Sequence, residues 1–176
     1  MLQLLAISGS LRESSSNTNL LKAVSLIAAD SIKVSLFKEL GNLPHFNPDL
    51  QENEPPIVLS FRDEVSRADG LIICSPEYAH GVPGVMKNAL DWLVGSQDFM
   101  NKPVMLLSTS SRSIYARASL IETLSVMTAR ISFESSITVE LWGKNSDVSA
   151  IMENTSVTDA IKKALDSFSQ FIAGEA

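Results

Sequence analysis

Cysteine is almost absent from this chain of 176 residues: Cys74 is the only one, which excludes an internal disulfide. The two histidines, His45 and His80, lie far apart in sequence, so a Cys/His cage has too few ligands and no metal site is expected. Positive charge is scarce too. With 14 Lys and Arg against 20 Asp and Glu, the net charge is −6, and there is no basic cluster of the kind that holds nucleic acid or anionic lipid. The first ten residues carry no basic charge and only a short apolar run, so neither a signal peptide nor a membrane span is expected, and the default location is cytoplasmic. Internal repeats, low-complexity tracts and charge runs are missing as well. So are G-x-G-x-x-G, G-x-x-x-x-G-K-[ST] and G-x-S-x-G, the fingerprints of dinucleotide folds, P-loop NTPases and hydrolase elbows.

What the chain does contain is an alternation of short apolar runs and helical stripes. Strands are predicted at Leu2 to Ile7, at residues 32–36, at Leu71 to Cys74, at Val104 to Leu107 and, more weakly, at Ile137 to Leu141. Between and after them, helical spacing marks Leu20 to Ala28, Ile57 to Ala68, Val85 to Leu93, Tyr115 to Met127 and Val157 to Ile172. Residues 145–158 read as irregular. Four prolines (Pro44, Pro48, Pro55 and Pro56) stiffen the connection from Phe37 to Pro56, and patterned segments resume directly after it, so a single domain is expected. Five strands alternating with five helices predict an α/β fold: a flavodoxin-like, five-stranded parallel sheet, order 2-1-3-4-5, with helices on both faces. In that order strands 1 and 3 are neighbours at the topological switch point, where ligands bind beyond the strands' carboxyl ends.

The loops after those two strands are the richest in polar groups. Ser8 to Thr18 crowds hydroxyls and amides at the start of a helix, and Arg12 is the only cation between Met1 and Lys22. A helix N-terminus with free N–H groups attracts an anion, and a guanidinium adds a charge-assisted contact. The serines alone also fit an ordinary helix cap. Arg12 and the switch point favour the anion. After strand 3, Ser75 to Gly84 sets prolines and glycines around Glu77, Tyr78 and His80, so the backbone is constrained where polar atoms are densest. A third polar loop, Ser108 to Ser113, follows strand 4. Cys74, inside an apolar run, reads as a small buried hydrophobe.

Two segments, Ser8-Gly9-Ser10-Leu11-Arg12 with Ser15 and Asn17, and PEYAHGVPGVMKNALDWL from Pro76 to Leu93, resemble the signatures of the NADPH-dependent FMN reductase family. The similarity in element order runs from Leu2 to about Ile172, with the last 35 residues carrying little of it. The resemblance implies bound FMN, NADPH or NADH as electron donor, and a homodimer or homotetramer. By it, Ser10, Arg12, Ser15, Asn17 and Thr18 hold the FMN phosphate, while Pro76, Glu77, Tyr78, His80 and Gly81 border the ribityl chain and the ring. Ala79 stands where many members have Asn, and Ser110-Ser111-Arg112 where many have a Gly-Gly loop beneath the flavin. Ser110 and Arg112 are therefore kept as cofactor-side residues, although Arg112 fits a solvated loop charge equally well. Glu77 fits a loop brace as well as a flavin contact, and His80 a structural hydrogen bonder rather than a general acid.

The function expected on these grounds is an FMN-dependent NAD(P)H oxidoreductase working by a ping-pong mechanism. No catalytic side chain is required, because hydride chemistry belongs to the cofactor. The acceptor is a small molecule: a flavin, quinone, azo or nitro compound, or a metal ion. An electron carrier without NAD(P)H activity is a rival, disfavoured by Tyr78 being the only aromatic in the three loops; a flavin-free binder of a phosphorylated metabolite is another. Trp92 fits core or interface. Self-association is expected through Leu93, Val94, Phe99 and Met100, read as lying next to the site.

Overall fold

Strand β1 (Leu2–Ser8) pairs in parallel with β2 (Ile32–Phe37) on one side and β3 (Gly70–Cys74) on the other. The computed structural model describes residues 1–141 and 143–174. β4 (Pro103–Leu107) pairs with β3, and β5 (Arg130–Ile131) with β4, so the sheet has the expected order 2-1-3-4-5. Every residue of β3 and β4 is buried, as unbroken apolar runs require when both faces of a strand are covered.

Alternation along the strands sorts the side chains onto two cores. Leu5, Ile7, Leu71, Ile73, Val104 and Leu106 pack with α2 (Pro56–Arg67), α3 (Gly84–Leu93) and α4 (Ile114–Val126). Leu4, Ala6, Ile72, Cys74, Met105 and Leu107 pack with α1 (Ser16–Ile27), α5 (Val148–Glu153) and α6 (Thr155–Ala173). The helices thus cover both faces, and all three polar loops emerge at the carboxyl edge of the sheet. Among the described residues no helix is long and apolar enough to cross a membrane.

Two expectations about the elements need correction. The fifth strand is not at residues 137–141: its regular part is Arg130–Ile131, while Ile137 to Leu141 only extends the edge beyond β4, through Val139 N–H to Ser108 O at 2.8 Å and Leu141 N–H to Thr109 O at 3.1 Å. Serines separate the two pieces. The Ser136 hydroxyl accepts the Leu106 N–H at 2.9 Å, a ladder bond that a backbone carbonyl would otherwise take. Second, residues 145–158 are not irregular throughout. Asp147 caps α5 through the Ala150 N–H, Asn154 caps α6 through the Val157 N–H, and the helix count among described residues rises to six. The stiffened connection from Phe37 to Pro56 holds two short 3-10 turns, Leu40–Asn42 and Pro48–Asn53.

The proline-rich connection is clamped to the sheet by α3. Trp92 is buried and its indole N–H donates to Pro44 O at 2.8 Å; one turn earlier, Asn88 donates to Pro44 O and accepts the Phe46 N–H. Trp92 therefore belongs to the core. Leu93 and Phe99 are buried as well, leaving Val94 and Met100 exposed. With Val126 they border a groove at the C-terminal ends of α3 and α4. Helices in such crossovers run back against the strands, so this groove lies at the edge opposite the loops and not beside them.

Candidate functional site

The loop after β1 is drawn tightly against β3. Gly9 donates its N–H to Cys74 O at 2.9 Å, and a Cβ at Gly9 would stand 2.9 Å from Ser75 Cβ and 3.2 Å from Ser75 Cα, so a side chain there would push the two loops apart. Ser8 and Thr18 share a hydroxyl hydrogen bond of 2.7 Å, and Ser10 Oγ accepts the Arg12 N–H at 3.4 Å. Ser15 caps α1, its side chain accepting the Thr18 N–H, and the first turn carries no acidic residue. Ser10, Ser15 and Asn17 are buried, whereas Arg12 is exposed at the mouth of the loop.

Asn17 turns inward. Its Oδ1 accepts from the Cys74 thiol at 3.2 Å and from the Thr109 hydroxyl at 3.4 Å, and Thr109 in turn accepts from Ser16 at 3.4 Å. One carboxamide thereby joins α1, β3 and the loop after β4. Burial pushes the Cys74 thiol well up from its ordinary value, so the sulfur keeps its proton and donates.

After β3 the chain makes a two-residue hairpin. Tyr78 and Gly81 exchange both backbone hydrogen bonds, at 3.1 and 2.9 Å, across Ala79 and His80, whose φ angles are +49° and +59°. Positive φ at both central residues is the pattern of a type I′ turn, which favours Asn-Gly. The Glu77 carboxylate reaches across to the helix after β4 rather than to its own loop. Its Oε2 accepts the Ala116 N–H at 2.8 Å, so it caps α4, whose own N-cap residue, Ser113, makes no side-chain bond. The His80 ring stacks on Tyr115, centroids 4.2 Å apart at 21°. Tyr115 is the aromatic that loop-by-loop counting missed, because it sits just past the third loop in the first turn of α4. In that third loop Ser110 Oγ accepts the Arg112 N–H at 3.2 Å and Glu140 accepts the Ser111 N–H.

Two clefts open at this edge. One, of about 400 Å³, is lined by Gly9, Leu11 and Arg12 from the first loop and by Tyr78, Pro83, Gly84 and Val85 from the second. The other, of about 430 Å³, lies towards β2 and includes Ser8, Ser10, Arg12 and Thr18 together with Lys22 and Lys38. Arg12 borders both. Of the expected residues, Ser10, Arg12, Thr18 and Tyr78 line these clefts. Ser15, Asn17, Pro76, Glu77, His80, Gly81, Ser110 and Arg112 do not, and several of them instead hold the loops in place. Lys22 was legible as one helical turn past Thr18; Lys38, just beyond β2, carried no local signal.

A family model described as NADPH-dependent FMN reductase matches residues 2–140. A quinone reductase of Escherichia coli strain K12 is 36% identical over 121 residues, 66% of this chain and 64% of that protein. An NADPH:quinone oxidoreductase of Arabidopsis thaliana is 35% identical over 114 residues, 62% of this chain and 58% of that one. The match thus spans less than two thirds of these relatives' length. Among solved structures, a flavoenzyme NAD(P)H:(acceptor) oxidoreductase from Paracoccus denitrificans superposes with a TM-score of 0.82 at 25% identity, covering 99% of each chain.

Proposed function

Because this chain belongs to the NADPH-dependent FMN reductase family, we infer that it is an FMN-dependent oxidoreductase that uses NADPH or NADH to reduce a small acceptor, a quinone foremost. The observation that carries this reading is one cleft lined from both signature segments, Leu11 and Arg12 on one side and Tyr78, Pro83 and Val85 on the other.

The residues present fit FMN. A phosphate dianion needs concentrated donors in a chain of net charge −6; Arg12, the Ser10 and Thr18 hydroxyls and the open first turn of α1 supply them, with no acid in that turn, and the one acid lining the cleft, Glu13, is outnumbered there by Arg12, Lys22 and Lys38. Ser15 and Asn17 complete this set from beneath. A flat ring needs apolar walls, which Leu11, Tyr78, Pro83 and Val85 offer. When bound, FMN supplies the two-electron exchange between a nicotinamide and the second substrate.

The chain's own task is binding and orientation. Arg12 and its neighbouring donors anchor the anionic end. Pro76 to Gly81 borders the ring end, held in register by Glu77 on α4 and by the stack of His80 on Tyr115. No side chain is assigned to proton transfer. Donor and acceptor use the open side of the cleft in turn, in a ping-pong sequence. The acceptor class follows the quinone reductases that this chain resembles. Self-association is part of the reading, supported by the exposed Val94, Met100 and Val126 around one groove; sedimentation as a monomer alone would remove it. Turnover of NADPH with a benzoquinone, measured with and without added FMN, tests the function. Activity that needs FMN agrees with it, and no quinone-dependent oxidation by the FMN-loaded protein refutes it.

A further inference from the structure

Asn17 is the second residue of α1, beside the open N–H groups of that helix, yet its side chain is buried and its oxygen is taken up on the far side by Cys74 and Thr109. A carboxamide has a donor branch and an acceptor branch, and its neighbours decide which way it is turned. The thiol is a weak acceptor with one proton to give. The Thr109 hydroxyl already accepts from Ser16 and has its own proton to place. Both protons require an acceptor, so the branch facing β3 and the end of β4 is the oxygen. The opposite orientation would set the amide N–H bonds against the Cys74 S–H and leave a buried thiol proton without a partner.

We propose that Cys74 and Thr109 are positioning residues for the cofactor: by fixing the Asn17 oxygen towards β3 and β4, they make the Asn17 Nδ2–H2 group the donor offered to the FMN phosphate. The inference rests on the FMN reading above. It assigns a role to two side chains that line neither cleft, one of them the cysteine that composition alone marks as a plain hydrophobe. The amide is oriented before the ligand arrives, so the phosphate meets a donor that needs no reorientation. The Cys74 bond is the principal hold and the longer Thr109 bond the auxiliary one. Because the thiol stays protonated, the orientation persists across neutral and mildly alkaline pH.

The test compares FMN with riboflavin, which lacks the phosphate, by fluorescence quenching against wild type, Cys74→Ala, Cys74→Ser and Thr109→Val, each also in an Asn17→Ala background. Cys74→Ala is expected to weaken FMN roughly 2- to 10-fold, the worth of one neutral hydrogen bond, and to leave riboflavin unchanged. Thr109→Val, of similar shape, shows the same pattern with a smaller factor. Cys74→Ser, which keeps a donor, recovers most of the loss. In the Asn17→Ala background neither substitution changes FMN affinity further, because the group they act through is gone. Apo-protein melting temperatures separate this from packing, since a packing role lowers stability whether or not Asn17 is present. Equal weakening of both flavins, no weakening of either, or an undiminished Cys74→Ala effect on FMN without Asn17 overturns the inference while the FMN reading stands. A wild-type protein that binds neither flavin overturns both.

Discussion

The Glu77 carboxylate closes the N-terminus of α4: its Oε2 accepts the Ala116 N–H at 2.8 Å, linking the loop after β3 to the helix after β4. A carboxylate at that position also meets the positive end of the helix dipole. Glu77→Ala removes a hydrogen bond to a charged group and leaves a helix end uncapped, so a loss of about 1.5–3 kcal/mol in unfolding free energy is expected. Glu77→Gln keeps an acceptor and loses only the charge, costing about 0.3–1 kcal/mol. Urea denaturation of the three proteins checks the order. Equal stability of Glu77→Ala and wild type would show that the contact contributes nothing.

Ala79 is strained. At φ +49° an alanine Cβ crowds the backbone, a cost of roughly 1–2 kcal/mol that glycine avoids and asparagine partly relieves. Ala79→Gly is expected to raise stability by about 1 kcal/mol after glycine's larger loss of unfolded-state freedom is subtracted, and Ala79→Asn by less. The strain sits in the hairpin beside the cleft, where a fixed backbone serves ligand placement. Thermal unfolding measures the gain; a lower melting temperature for Ala79→Gly would show the turn to be relaxed.

Acid stability has an identifiable contributor at the far side of α2. The Ser96 hydroxyl donates to Asp98 Oδ2 at 2.8 Å and, with Arg62 nearby, outweighs partial burial and holds the Asp98 carboxyl below its ordinary value of 3.8. A carboxyl whose pKa is lowered on folding contributes stability above its unfolded pKa and loses it as pH falls through the folded one. Ser96→Ala should therefore lower the melting temperature near neutral pH by an amount that shrinks as pH falls below about 4. A difference that stays constant with pH would assign the effect to packing instead.

Much of this was legible because the signals were periodic. Two-sided burial of β3 and β4 shows in Leu71-Ile72-Ile73-Cys74 and Val104-Met105-Leu106-Leu107, and the stripe of Met86, Ala89, Leu90 and Leu93 gives α3 directly. The broken fifth strand was hidden, because a serine side chain that replaces a ladder carbonyl has no periodic signature. Of the residues expected at the site from the polar loops and the family resemblance, Ser10, Arg12, Thr18 and Tyr78 line the clefts. The parts of Glu77, Asn17 and Cys74 were not legible, since each depends on contacts more than 35 residues away in sequence: Glu77 with Ala116, Asn17 with Cys74 and Thr109. Chain spacing carries no trace of such pairs. Tyr115 was hidden for a simpler reason: it stands in the first turn of α4, two residues past the end of the third loop.

Arg12 is the one cation that borders both clefts from the first loop. Its replacement by alanine is expected to weaken FMN roughly 10- to 150-fold, the worth of a hydrogen bond to a charged group, and riboflavin hardly at all. Arg12→Lys recovers part of the loss, because an ammonium supplies charge without the planar fork. Flavin titrations supply the double difference. Equal weakening of both flavins would make Arg12 a support of the loop rather than a phosphate ligand.

The most direct test of the central claim is anaerobic mixing of the FMN-loaded protein with NADPH, and separately with NADH, while the absorbance of the oxidised flavin is followed. The account predicts that the yellow colour is bleached at a rate no slower than steady-state turnover and returns when a benzoquinone is added. A protein that stays colourless after exposure to FMN, or that binds FMN but keeps its colour with both nicotinamides, would contradict it.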